Sequence, residues 1–163
     1  MAEENIESLE ILIRHEQAAK RLYEAYASRF PLRERFWKEI AEDEQRHSTW
    51  LEHVRSDEGL KKWFLSARKF KVEAVKSSIG YVENQIARAR KGEVSAVESL
   101  SISKDLEYAL LENHFCHMDP STPGPIRSVL GDIAAETEGH RRKIAQELAV
   151  EKNRIPTRRE KRV

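Results

Sequence analysis

Apolar side chains recur along this chain in steps of three and four, and turn signals divide them into a few long runs. Ile6, Leu9, Leu12, Ile13, Ala19, Tyr23, Ala27 and Phe30 predict a first helix from about Asn5 to Phe30, closed by Pro31. A second helix follows almost at once, with Phe36, Trp37, Ile40, Ala41, Leu51 and Val54 as its stripe and Ser56, Asp57 and Gly59 as punctuation. So short a connection makes these two helices an antiparallel pair.

Between Gly59 and Gly92 the pattern changes. A short aromatic piece, Trp63, Phe64 and Leu65, precedes a helix carrying Val72, Val75, Ile79, Val82 and Ile86, and together they are expected to form a crossover. Trp63 and Phe64 are expected to cover the bundle or a partner subunit. Ser95 followed by Glu98 is a capping-box signature opening the next helix, which runs through Leu100, Leu106, Leu110, Leu111 and Phe115 towards Asp119 and Pro120. After the loop PSTPGP, Pro125 suits the first turn of the last main helix. Its stripe is Ile126, Val129, Leu130, Ile133, Ile144 and Leu148, with Ile155 and Pro156 expected to stop it. No strand pattern is present, so the fold class is all-α: two helices, a long crossover, and two more. A plain up-down bundle needs only short loops, whereas ferritin-like four-helix bundles have one long crossover between helices 2 and 3. The expected organisation is one bundle domain over residues 1–151 and a basic, disordered tail over residues 152–163.

Composition narrows the setting. At 163 residues, 35% charged and 39% hydrophobic, the chain suits one domain of amphipathic helices with solvated outer faces. No stretch approaches the roughly 18 apolar residues of a membrane span, and the start MAEENIESLE is acidic, so a cytoplasmic protein is expected. A net charge of +1 argues against nucleic acid as a partner. The basic residues Lys152, Arg154, Arg158, Arg159, Lys161 and Arg162 are expected to be solvated. The single cysteine, Cys116, excludes an internal disulfide and a CxxC metal centre, which leaves carboxylates and imidazoles to hold any metal.

Such residues occupy the centres of the apolar stripes, where the helical period would ordinarily put leucine. With about 100° of rotation per residue, Leu9, Leu12, Ala19, Tyr23 and Ala27 all lie within about 60° of Glu16. Glu44 and His47 share the stripe of the second helix as an E-x-x-H pair, and Leu100, Ser103, Leu110 and Leu111 surround Glu107 on the third. The last helix puts Glu136, Thr137 and His140 beside Val129, Ile133 and Ile144. Burying an ionised carboxylate alone is very costly, and converging acids repel one another; a multivalent cation removes both problems. Di-metal bundles take a Glu from each of two helices and an E-x-x-H from each of the other two. Glu16 and Glu107 are then the single acids, and Glu44 with His47 and Glu136 with His140 the paired contributions. The expected arrangement is a Glu44 bridge, Glu16 and His47 on one ion and His140 on the other, with Glu107 and Glu136 nearby. The opposing expectation is an internal Glu, His and Arg network with Arg14, Lys20 or Lys104 as partners. Tyr23 is a donor near the site, a radical-prone phenol there, or an ordinary core tyrosine with its hydroxyl satisfied, and His114, His117 and Glu112 are secondary candidates.

These residues resemble the rubrerythrin family of ferritin-like proteins. HEQAAKRLYEAYA is similar to that family's first helix, with its ligand Glu and a Tyr seven residues later, and AEDEQRH to its second-helix E-x-x-H. SKDLEYALLENHF and IAAETEGHRRKI resemble helices three and four. The sequence also departs from the family: a C-terminal rubredoxin-like domain is expected to be absent. Thr137 stands where the second E-x-x-H would have its Glu, leaving Glu136 as a displaced substitute, and Leu110 occupies the place of a further carboxylate.

The resemblance implies a non-haem di-metal protein with two iron ions, manganese or zinc being the alternatives, and a peroxidase-like oxidoreductase role. Peroxide or dioxygen would be the substrate, an external electron donor the reductant, and a homodimer the assembly. The alternative is a ferritin-like module with a degenerate or mononuclear site that serves as a dimerising or regulatory partner. Iron storage in a hollow shell ranks third.

Overall fold

A computed structural model describes residues 2–67, 72–110 and 122–154. Six α-helices account for nearly all of them: α1 (Ala2–Arg29), α2 (Glu34–Ser56), α3 (Glu58–Ala67), α4 (Val72–Arg90), α5 (Ala96–Leu110) and α6 (Gly124–Lys152). The described residues contain no strand. The fold is an all-α, ferritin-like four-helix bundle of α1, α2, α5 and α6, with α3 and α4 forming the long helical crossover between its second and third helices.

Local chemistry sets the ends of these helices. Proline lacks an N–H and cannot continue a helix, so α1 gives way to a 3-10 turn over Pro31–Arg33. The turn reverses the chain, and α2 runs back antiparallel to α1, with Arg55 paired to Glu10 at one end and Lys20 to Gln45 further along. Asp57 is extended, and its side chain accepts the Leu60 N–H at 2.9 Å. That bond caps a new helix, so Gly59, expected as punctuation, lies inside the first turn of α3. Gly92 ends α4 at a φ of 72°, where a Cβ would be strained. Its N–H bonds to Ala89 O and that of Glu93 to Arg88 O, the two bonds of a Schellman cap. Ser95 and Glu98 make the reciprocal bonds of a capping box, 2.8 Å from Ser95 N–H to the Glu98 carboxylate and 3.1 Å from Glu98 N–H to the Ser95 hydroxyl. The expected course of α5 beyond Leu110, the stop at Ile155 and Pro156, and His114, His117, Glu112, Arg158, Arg159, Lys161 and Arg162 lie outside the described residues, as do the side chains of Trp63 and Phe64. Of the other terminal basic residues, Lys152 is the exposed last residue of α6 and Arg154 pairs with Glu151.

The crossover helix covers α1. His15 meets Ser78, Arg21 pairs with Glu83, and Arg29 reaches Gly92 O, so α1 and α4 run parallel. With α2 on its other side, α1 is buried on both flanks. The apolar side chains form two clusters. One contains Leu22, Tyr23, Tyr26, Trp37, Ile40, Leu106, Ile144 and Leu148, and the other Leu9, Leu12, Ile13, Leu51, Val54, Leu130 and Ile133. On α1, α2 and α6 alike, the residues that divide the two clusters are the acids and histidines singled out above.

Candidate metal centre

Glu16 from α1, Glu44 and His47 from α2, Glu107 from α5 and His140 from α6 meet in this dividing layer, each no more than 2% exposed. Their inward-facing atoms form two groups that share Glu44. Glu16, Glu44 and His47 make one, Glu44, Glu107 and His140 the other, and within each the nitrogen and oxygen atoms lie within 4.8 Å of one another. His47 Nδ1 is 3.4 Å from Glu44 and 3.7 Å from Glu16; His140 Nδ1 is 3.2 Å from Glu44 and 3.6 Å from Glu107. The two imidazoles stack at 5.9 Å between centroids.

None of these converging atoms closes a hydrogen bond. Glu16 Oε2, both Glu44 oxygens, Glu107 Oε2 and both Nδ1 atoms are buried without a hydrogen-bond partner. Buried polar atoms are nearly always paired, because leaving one unpaired forfeits its hydration. Six of them, all aimed at the same interior, form the donor set a cation of borderline softness takes, carboxylate oxygen and imidazole nitrogen. The residues therefore fit a metal ion in each group.

The outer nitrogens of the two rings are held instead. His140 Nε2 lies 2.8 Å from Asp43, and His47 Nε2 lies 2.8 Å from Glu136. A neutral imidazole that donates its Nε2–H to a carboxylate presents the Nδ1 lone pair to the interior, the arrangement seen around metal-binding histidines. Arg46 ties the two carboxylates together: it donates to Asp43 and, at 3.2 and 3.3 Å, to Glu136. One half-exposed guanidinium thus supports both rings.

Glu136 is placed differently from the expected pairing with His140. Its side chain is 31% exposed, belongs to neither converging group, and bonds His47 across the bundle. The reason is rotational: Glu136 sits on the flank of α6 that faces Arg46 and His47, while His140, one turn on, turns into the layer. Asp43 was not legible as a site residue because it flanks the α2 stripe, one residue from Glu44. Only the approach of α6 to that flank gives it a role. Arg14 and Lys20 are not partners of the buried acids; Arg14 pairs with Glu10, and Lys20 with Gln45 and Glu24. Thr137 is buried and spends its hydroxyl on Ile133 O at 2.8 Å, and Leu110 is core. Tyr23 is a donor at the site: its buried hydroxyl bonds Glu107 Oε1.

The layer is electrostatically strained. Burial and the nearby Glu44 charge push Glu16 up to about 7. For His47, burial disfavours the charged ring, but Glu16 and Glu44 outweigh it and raise the ring to about 11. His140 is raised to about 12, burial being outweighed by Asp43, Glu107 and Glu44. Burial and Glu107 act to raise Glu44, and its contacts with His140, His47 and Glu16 reverse this and hold it below its ordinary value. Without a metal, protonated imidazoles offset the buried carboxylates.

Comparison with characterised proteins and with solved structures returns no match. A family model described as Rubrerythrin matches residues 7–113, which carry Glu16, Tyr23, Glu44, His47 and Glu107. With that match covering more than half of its length, the chain belongs to the rubrerythrin family.

Proposed function

We propose that this protein is a non-haem di-metal protein, with iron the metal, that reduces peroxide or handles oxygen and iron in oxidative-stress defence. The observation that carries the proposal is the set of six unpartnered ligand atoms converging from four helices on one dry layer. Glu16, Glu44 and His47 would hold one ion, Glu44, Glu107 and His140 the other, with Glu44 between them. Glu136 and Asp43 would orient the rings from outside. Bound iron would supply electrons to the oxidant and take them back from an external donor. The protein's own contribution is to present Nδ1 rather than Nε2, to keep bulk water from the layer, and to hold a proton at Tyr23 Oη against Glu107. A homodimer is proposed with this reading, and native particle size separates it from a hollow storage shell.

Elemental analysis of protein purified without added metal, combined with peroxide consumption under a reductant, tests the proposal. About two ions per chain and peroxide turnover that chelation abolishes are expected. Metal-free protein that does not take up iron(II) refutes it. One observation favours the alternative of a helical module with a degenerate or mononuclear site: His47 Nδ1 and His140 Nδ1 each lie within 3.7 Å of two buried carboxylates, so as imidazoliums the two rings can balance the layer without metal. That reading expects full folding in chelator and no more than one ion per chain.

A further inference from the structure

Beyond Glu107 the site continues into aromatic rings. The Tyr23 ring stacks on Trp37 at 5.6 Å between centroids and 11° between planes, and both side chains are fully buried. Tyr26 and Phe36 pack against the same indole at 5.1 and 4.9 Å. The polar atoms of these rings differ in a way that matters for redox chemistry. Tyr23 donates to Glu107, whereas Trp37 Nε1 and Tyr26 Oη have no hydrogen-bond partner. A phenol loses an electron readily only if its proton has an acceptor, so Tyr23 is equipped for oxidation and Tyr26 is not. An indole can lose an electron and keep its proton, so Trp37 needs no acceptor.

From this juxtaposition we propose that Tyr23 and Trp37 form an electron relay that feeds the carboxylate layer and takes oxidising equivalents away from it. The inference rests on the di-metal reading, with hydrogen peroxide as the oxidant. Reduction of one peroxide to two waters takes two electrons and two protons. Where bound iron would supply only one of these electrons, Tyr23 supplies the other, and its phenol proton moves to Glu107 Oε1. Trp37 then returns one electron to Tyr23, the proton comes back from Glu107, and the indole is left as a cation radical. An external donor returns two electrons, one to the indole and one to the metal site, and solvent supplies the two protons of the waters.

A second indole competes for this role. Trp50 stacks on His47 at 5.8 Å and is partly exposed. Among the described residues, no stacked phenol with a proton acceptor lies between it and the layer. The test is rapid-freeze electron paramagnetic resonance of iron-loaded protein mixed with peroxide, with iron content measured on each sample and folding checked by circular dichroism. The expected result is an organic radical whose hyperfine pattern narrows in protein made with ring-deuterated tryptophan. Trp37→Phe should move that narrowing to ring-deuterated tyrosine, Tyr23→Phe should lose the radical when it is counted per iron bound, and Trp50→Phe should leave the tryptophan radical in place. Iron-loaded protein that forms no organic radical, or a tryptophan radical that survives Trp37→Phe and vanishes in Trp50→Phe, overturns the relay alone. Protein that takes up no iron overturns the di-metal reading and the relay with it.

Discussion

Glu44 belongs to both converging groups and Glu16 to only one, which makes their alanine variants unequal in a calculable way. A ligand at 100 times its dissociation constant stabilises the folded state by about 2.7 kcal/mol, so two ions contribute roughly 5 kcal/mol. For a chain of this size each kcal/mol moves the melting temperature by about 2–4 °C, and saturating metal should raise that of the wild type by roughly 10–20 °C. Glu44→Ala should abolish the increment, and Glu16→Ala should leave about half of it. Each variant must be compared with its own chelated form. Removing one partner from a buried charge cluster itself costs on the order of 3–5 kcal/mol, whatever the metal does. The assay is thermal unfolding in chelator and in excess metal, joined to elemental analysis. Wild-type metal content in Glu44→Ala, or equal losses in the two variants, would refute a pair of ions sharing one carboxylate.

Further outcomes follow from the same geometry. In the metal-free protein His47 and His140 are raised from 6.5 to about 11 and about 12, so the stability they contribute is complete below about pH 6.5 and is lost as pH rises through those values. Glu16, raised from 4.5 to about 7, acts in the same sense: its contribution is complete below about pH 4.5 and lost through about pH 7. Metal binding must expel these protons, so the metal-induced rise in melting temperature should be larger at pH 8 than at pH 6. An equal or smaller rise at pH 8 would contradict the assignment. Arg46→Ala frees Asp43 and Glu136 together and should weaken metal affinity by roughly 10–100-fold, measured by competition with a calibrated chelator. Unchanged affinity would mean the outer carboxylates do not need it. Ser95→Ala removes the α5 cap, about 1 kcal/mol, and should lower the melting temperature by about 2–4 °C with metal content unchanged. A fall in metal content would mean that the start of α5 governs Glu107.

Much of the fold was legible because it is written in local periodicity. The stripes on α1, α2 and α6 placed those helices, Pro31 marked the reversal between α1 and α2, and Ser95 with Glu98 marked the start of α5. Gly59 misled because glycine usually interrupts helices; here the Asp57 side chain restarts the helix two residues earlier. The inward-facing residues Glu16, Glu44, His47, Glu107 and His140 stood out because acids and imidazoles at the centre of an apolar stripe have no ordinary explanation.

Helical period reports the face on which a side chain lies, because that face depends only on the rotation per residue within one helix. The chain alone therefore determined that carboxylates and imidazoles would enter the interior. Which of them would meet was decided by tertiary packing. Asp43 and His140 are 97 residues apart, and His47 and Glu136 are 89 apart. Their pairing depends on how α6 is rotated and shifted against α2, a property of two packed surfaces that neither helix encodes by itself. For the same reason Asp43 became a site residue from a stripe's edge, Glu136 moved outward from its expected place, and Tyr23, Trp37 and Glu107 came into line.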